Sequence, residues 1–443
     1  MLVGASERRP ATVRNLLRGG AHAWGVNPRG ASVLGLECAA SVAQLAETPE
    51  LAVLMVGHER IESAVEEALA AGVRAFVVPG LGNEAGEAGR AIAKRLGRRV
   101  SAMKAAVLGP NCMGVAVPER ASPWIGGISG GFLPGHVAVV AESGSVAESF
   151  VNGGPRTGFR CVVSTGGEMV RDAADFLAWF AADEGTRAVG LFLETVRRPA
   201  ALAASLRRCA EAGKPIACLS VGRSEAARRA TMSHTGALAG SRAGLQALLR
   251  RYDVIEVEDH HELFETLEVL GRSRWPLGVR AAAVSESGGE CALLADQGQD
   301  AGLSFDPLPA EVTALLRREF PNFLEPNNPL DAWAVDEVSR VFPRTLELLA
   351  ASGAYDVLLA QVDLTRYRDE SDNQWCELVI RALARAAEGR PVFPAVTTVH
   401  TTDPPDRLVE LARELDVALL RGPAHTARAL ASVGGWRMRR AKR

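Results

Sequence analysis

The residues with the most evident chemistry lie in Ser233-His-Thr-Gly-Ala-Leu-Ala-Gly-Ser241, preceded by Gly222-Arg-Ser-Glu225. His234 reads as a loop residue, because the apolar helical stripe of Leu245, Leu248 and Leu249 begins only after it. The small residues around it leave the ring sterically open. An uncharged imidazole is a good nucleophile toward phosphorus near neutral pH. The competing reading is a loop histidine that caps local backbone, and spacing alone leaves both open.

Three further groups could serve such a nucleophile. Ser143-Gly144-Ser145 and Gly166-Gly167 are each read as opening a helix, and two helix amino termini aimed at one point would hold a doubly charged anion. Simple capping by serine is the alternative. Glu194 ends the apolar run Val189-Gly-Leu-Phe-Leu193. A carboxylate at a strand's carboxyl end often faces the site. Near the start, Gly4-Ala5-Ser6 stands between a strand and a helix carrying Val13, Leu16 and Leu17. A turn of small residues lets backbone N–H groups approach a phosphate.

The elements that must position these residues alternate between short aliphatic runs and amphipathic stretches, the rhythm of βαβ units with parallel sheets. The expected fold class is α/β, mostly parallel: a Rossmann-like domain over residues 1–131, then two flavodoxin-like domains over 132–274 and 275–443. In the first block Leu51–Val56, Ala75–Val78 and Ala105–Leu108 read as strands. In the second, Val137–Val140 turns through Glu142-Ser-Gly-Ser145 into a helix. In the third, Ala281–Val284 turns through Glu286-Ser-Gly-Gly289 into another, and the repeated turn suggests two related domains. His260-His261 reads as a surface pair before a helix.

Composition narrows the function classes. The 443 residues carry a formal net charge of -2, so no global field attracts nucleic acid or a membrane surface. No apolar run approaches the ~18 residues that span a bilayer. The seven cysteines form no C-x-x-C pair, which argues against zinc or a disulfide framework and for reduced thiols in the cytoplasm. A nicotinamide oxidoreductase is disfavoured, because no G-x-G-x-x-G follows the first strand.

Ser233-His-Thr-Gly-Ala-Leu-Ala-Gly resembles the phosphohistidine loop of ADP-forming acetyl-CoA synthetases, relatives of the succinyl-CoA synthetase α subunit. Val3-Gly-Ala-Ser6, Val26-Asn-Pro28, Gly109-Pro-Asn111 with Gly114, Ser143-Gly144, Gly166-Gly167, Glu194 and Asn328-Pro-Leu-Asp331 fall in that family's order along most of the chain. The resemblance implies a CoA-binding subunit of an acid–CoA ligase that works through an acyl phosphate and a phosphohistidine at His234. It implies CoA on Gly4, Ala5 and Ser6, on Asn27, Pro28 and Arg29 after the second strand, and on Pro79, Gly80 and Asn111. It implies phosphate on Ser143, Gly144, Ser145, Gly166 and Gly167, with Glu194 orienting the histidine and no metal ligand in this chain.

ATP or ADP with Mg would be handled by an ATP-grasp β subunit or fused region, since all three blocks are accounted for and no G-x-x-x-x-G-K-[ST] occurs. An oligomer is expected. Two departures stand out: Val170 replaces a polar residue of the family, and Glu148 replaces a substrate-side aromatic of the succinyl branch. The first strand is short, so the true start is expected upstream. The alternative function is a non-catalytic CoA- or acyl-CoA-binding regulatory module.

Overall fold

The computed structural model describes residues 1–82, 85–227, 229, 242–323, 325–333, 335–366 and 368–442. It divides into two compact units, Met1–Glu256 and Val257–Arg443.

The first unit holds two six-stranded sheets. Strands β1 (Leu2–Val3), β2 (Trp24–Val26), β3 (Glu37–Ala39), β4 (Leu51–Leu54), β5 (Ala75–Val77) and β6 (Ala106–Leu108) form the first, in the order β3-β2-β1-β4-β5-β6. Every pairing in it is parallel, and this is the doubly wound dinucleotide-fold order. Successive residues of a strand face opposite sides. Met1, Val3, Ala52 and Leu54 accordingly pack toward helices α2 (His58–Ala70) and α3 (Gly86–Ala102). Leu2 and Val53 join the opposite core together with Val13 and Leu16 of helix α1 (Pro10–Leu16).

The second sheet comprises β7 (Gly114–Ala116), β8 (Pro134–Ala141), β9 (Phe159–Ser164), β10 (Ala188–Leu193), β11 (Ile216–Ser220) and β12 (Ile255–Val257), ordered β12-β11-β10-β8-β9-β7. From β8 onward this is flavodoxin-like order. Strand β7 is an antiparallel addition on the β9 edge, contributed by the segment that leaves the first sheet. The central strands are buried on both sides: all of Val137–Ala141 and Ala188–Leu193 are inaccessible or nearly so. That explains their unbroken apolar sequences. Helices α4 (Gly144–Val151), α5 (Ala173–Ala182) and α6 (Pro199–Glu211) follow β8, β9 and β10.

The second unit carries β13 (Ala281–Ser285), β14 (Leu330–Asp331), β15 (Val357–Gln361), β16 (Phe393–Thr397) and β17 (Ala418–Leu420) in the order β14-β13-β15-β16-β17. All four pairings are parallel, the flavodoxin topology in full. The Glu286–Gly289 turn ends β13 and starts the helix Gly288–Ala301, as Glu142–Ser145 does between β8 and α4. His260 and His261 are the first residues of a helix, His260–Leu270, capped by Asp259. They do not precede it, and His260 is half-buried.

Asn328 shows how a side chain substitutes for a strand. Its Oδ1 accepts the Ala283 N–H at 3.0 Å, and its Nδ2 donates to the carbonyls of Ala281 and Asp306, each at 2.8 Å. Removing it leaves β13 groups without partners. Asn328→Ala should lower the stability of the second unit by about 1–3 kcal/mol, read as a lower urea midpoint with an unchanged slope.

Candidate functional site

The carboxyl ends of β1, β4 and β5 open onto a cleft of about 380 Å³, lined by Arg9, Met55, Gly57, His58, Pro79, Gly80 and Ile125 among others. It stands where the strand order of the first sheet reverses, the place such sheets bind ligands. Gly4 packs against Met55, one of the lining residues. Its φ is +85°, and a Cβ there would lie 2.4 Å from the Met55 carbonyl oxygen, so only glycine brings the two turns together. Helix α2 starts at the rim with Gly57 as N-cap and no side-chain cap, and the Glu59 carboxylate of its first turn folds back beside Gly57. Arg9, immediately before α1, reaches Met55 Sδ at 3.7 Å.

The structure brings Pro79 and Gly80 to this cleft, and Gly4 lies behind its lining residues Met55 and Val56. Asn111 is next to it, since its N–H donates to the Gly80 carbonyl at 3.0 Å. Ala5 is buried behind the turn, and the Ser6 hydroxyl accepts the Arg8 N–H at 3.3 Å. Asn27 spends its side chain on its own turn, accepting from Arg29 N and donating to Ala31 O. Pro28 and Arg29 are exposed at the end of β2 and do not line the cleft. Sequence reading missed Arg9 and His58. The signal was a strand ending at Leu54 with a helix starting three residues past Met55, the geometry that places a helix start on a ligand.

A second group of residues gathers at the carboxyl ends of β8, β9 and β10. Helix α4 begins at Gly144 with Ser143 as N-cap, and the Ser143 and Ser145 hydroxyls lie 3.1 Å apart. Gly144 faces Met113, whose N–H donates to Ser164 Oγ at 3.1 Å. The Gly166-Gly167 turn is threaded into Gly109-Pro110-Asn111. Gly167 N donates to Pro110 O at 2.6 Å and Met169 N to Gly109 O at 2.7 Å. Gly166 has φ +59°, and a Cβ on it would sit 2.2 Å from the Asn111 oxygen.

Gly166-Gly167 does not open a helix. Helix α5 starts at Ala173, and the chain's own carboxylates fill its amino terminus. Glu168 Oε1 accepts from Ala173 N at 2.8 Å, and Asp172 Oδ1 accepts from Ala174 N and Asp175 N. Arg198 grips Asp172 through two nitrogens. Of the two helix starts expected at the anion site, α4 alone is left uncovered by acidic side chains. Val170 packs with the apolar residues around α3.

Glu194 follows β10 directly. Its N–H and that of Thr195 both donate to the buried Glu142 Oε2, at 3.0 and 2.8 Å. Burial and the neighbouring Glu168 push the Glu142 carboxyl well above the usual carboxylate range. Burial pushes Glu168 up to about 7. The chain leaving β11 starts beside Glu194, since Val221 N donates to Leu193 O at 3.0 Å. His234 lies further along that segment, outside the described residues.

Comparison with known proteins assigns a domain type to each part of the first unit. Residues 1–118 match a CoA binding domain and residues 134–270 a succinyl-CoA ligase like flavodoxin domain. A trans-feruloyl-CoA synthase of an unknown prokaryotic organism is 30% identical over 347 residues, 75% of this chain and 49% of that protein. The α subunit of ADP-forming acetate–CoA ligase II from Pyrococcus furiosus is 25% identical over 398 residues, covering 88% of this chain and 85% of the subunit. The chain thus spans about half the length of some curated relatives it matches, and most of the length of the separate α subunits. Among solved structures, dinucleotide-forming acetyl-coenzyme A synthetase 1 of Ca. Korarchaeum cryptofilum, in complex with phosphate and ADP, superposes with a TM-score of 0.84 at 22% identity. The superposition covers 99% of this chain and 96% of that one. That likeness is one of fold.

The two matched domains define a CoA-binding protein of the succinyl-CoA ligase type. More narrowly, the relatives that this chain matches over most of both lengths are separate α subunits of ADP-forming acetate–CoA ligases.

Glu168 predicts a pH dependence. Its folded value near 7 stands above the ordinary 4.5, so between these values the folded chain holds a proton that the unfolded chain has lost. Its stabilising contribution is complete below pH 4.5 and disappears as pH rises through about 7, a change of up to about 3 kcal/mol. Glu168→Gln keeps the acceptor for Ala173 N and has no proton to lose. Urea unfolding at the two ends of this interval should show wild type losing more stability with rising pH than the variant.

Proposed function

We propose that this chain is the CoA-binding, phosphohistidine-carrying part of an ADP-forming acid–CoA ligase. The observation that carries the reading is the convergence, at the carboxyl ends of β8, β9 and β10, of the α4 amino terminus, the interlocked glycine turns and Glu194. The Ser233–Ser241 motif follows from the neighbouring strand β11.

CoA fits the first-sheet cleft on structural grounds. The Gly4 turn has no room for a side chain, an α2 helix start points to the rim, Arg9 supplies a cationic group for phosphates, and His58 supplies ring nitrogens for hydrogen bonds. Pro79, Gly80 and Asn111 form the side nearest the second sheet. Arg29, exposed at the end of β2, would reach CoA from outside the cleft.

Three reversible steps follow. Phosphate, held by the Ser143–Ser145 helix start, attacks the acyl-CoA carbonyl carbon, forming an acyl phosphate and expelling the CoA thiolate. His234 attacks the phosphorus of the acyl phosphate and releases the carboxylate. Phospho-His234 then delivers its phosphoryl group to ADP with Mg on an ATP-grasp β subunit. Glu194 holds one ring nitrogen so that the other stays nucleophilic. Positioning and electrostatic stabilisation of the phosphoryl oxygens account for the catalysis. The named activities of the relatives span acetate and a feruloyl acid, so this reading extends to carboxylic acids as a class.

The test is incubation with acetyl-CoA, isobutyryl-CoA or feruloyl-CoA and labelled phosphate. Wild type should acquire acid-labile, base-stable label and His234→Ala none. Equal label on both would remove the histidine from the reaction. Separately, Arg9→Ala should weaken CoA binding by about tenfold, measured by calorimetry, without changing the melting temperature.

A further inference from the structure

Glu142 lies between β8 and the α4 helix start, yet its carboxyl turns to the neighbouring strand. Oε2 accepts three hydrogen bonds: from Glu194 N at 3.0 Å, Thr195 N at 2.8 Å and Thr195 Oγ1 at 3.2 Å. The side chain is 4% exposed. Its other oxygen, Oε1, is buried without a hydrogen-bond partner among the described residues. Glu142 and Glu168 line one cavity of about 10 Å³ with Asp172, Thr195, Arg197 and Arg198.

We propose that Glu142 is the residue that positions Glu194, acting through the backbone amides of residues 194 and 195. This deepens, and rests on, the reading of Glu194 and His234 given above. A clamp on two consecutive amides fixes the direction in which the following side chain leaves the strand. A shift of about 1 Å in such a group costs on the order of a hundredfold in rate.

The clamp works as a neutral acid. Donors converge on Oε2, so the proton belongs on Oε1. The charged and titratable groups facing it are Glu168 from the turn after β9, Asp172 at the α5 start, Glu194 in the clamped turn, Arg197 and Arg198 beyond it, and Cys218 on β11. Arg198 is committed to Asp172 and Asp175, and Arg197 lies 3.9 Å from Glu168. Among the described residues no ion pair offsets a charge on Glu142. Ionisation would set a bare charge beside Glu168 and Glu194, and their repulsion would open the turn. Burial, and then the neighbouring Glu168, favour the protonated form.

The experiment measures the rate of acid-labile labelling with an equimolar mixture of acetyl-CoA, isobutyryl-CoA and feruloyl-CoA plus labelled phosphate, from about pH 6 to about pH 9. Glu142→Ala should label roughly a hundredfold more slowly than wild type. Glu142→Gln supplies an acceptor oxygen for the amides and an N–H in place of the O–H. It should recover to within about threefold at neutral pH and should lack the alkaline decline of wild type. Labelling of Glu142→Ala at the wild-type rate overturns the inference. So does Glu142→Gln as slow as Glu142→Ala, or with the pH profile of wild type. Should Glu142→Ala fail to fold, the Glu142→Gln profile decides by the same criteria. Equal label on His234→Ala overturns the parent reading and this inference with it, whereas the Glu142 outcomes overturn this inference alone.

Discussion

Two backbone turns that could not approach each other with side chains present join the two sheets of the first unit. The Gly166–Met169 segment donates from Gly167 and Met169 to the carbonyls of Pro110 and Gly109, and Arg171 N continues the contact to Val107 O. The cost of a Cβ at Gly166, 2.2 Å from a carbonyl oxygen, states how close this contact is. Because the chain leaves β6 through this contact, β7 falls on the edge of the second sheet and pairs with β9. Asn111 bonds Gly80 on the cleft side while Gly166 closes over Asn111 from the other. One stretch of backbone therefore walls both the first-sheet cleft and the turn beside the α4 start.

Charge is distributed around that wall in a selective way. The amino termini of α4 and α5 both face the carboxyl ends of their sheet, and each would favour an anion. At α5 the demand is met internally by Glu168 and Asp172, with Arg198 behind them. At α4 the only side-chain cap among the described residues is the neutral Ser143 hydroxyl. A helix whose start is already occupied by carboxylates repels a phosphate, and one capped by a hydroxyl still attracts it. Burial raises the carboxyls of Glu142 and Glu168, the first also through Glu168 and the second also through Asp172, although Arg197 lies 3.9 Å from Glu168.

Much of this was legible in the linear sequence. Parallel strands buried on both faces must be apolar at successive positions, so Val137–Val140, Val189–Leu193 and Ala281–Val284 announced themselves, and the Glu-Ser-Gly turns marked the related strand-to-helix corners. The Gly4 turn and Pro79-Gly80 likewise stood at strand ends. The misplaced helix at Gly166-Gly167 has a plain cause. Glycine pairs signal a turn, and whether helix begins at once or six residues later depends on the capping box of Asp172 and Asp175, a stronger start signal that went unread. Arg9 and His58 looked like ordinary surface cations because nothing local distinguishes a charge on a cleft rim from one facing bulk water.

Residue order determined the elements, their parallel character, and the two domain types that the chain matches, since each depends on patterns within a few residues of one another. Which groups meet was decided only when the strands took their places. Glu142 and Glu194 are 52 residues apart and touch because β8 and β10 are neighbours in the sheet. The carboxyl of Glu142 is next to a helix-opening serine in sequence, yet its chemistry is set by amides on another strand and by the water it loses on burial. Hydrogen-bond partners and desolvation are properties of packing, and packing has no representation along the chain.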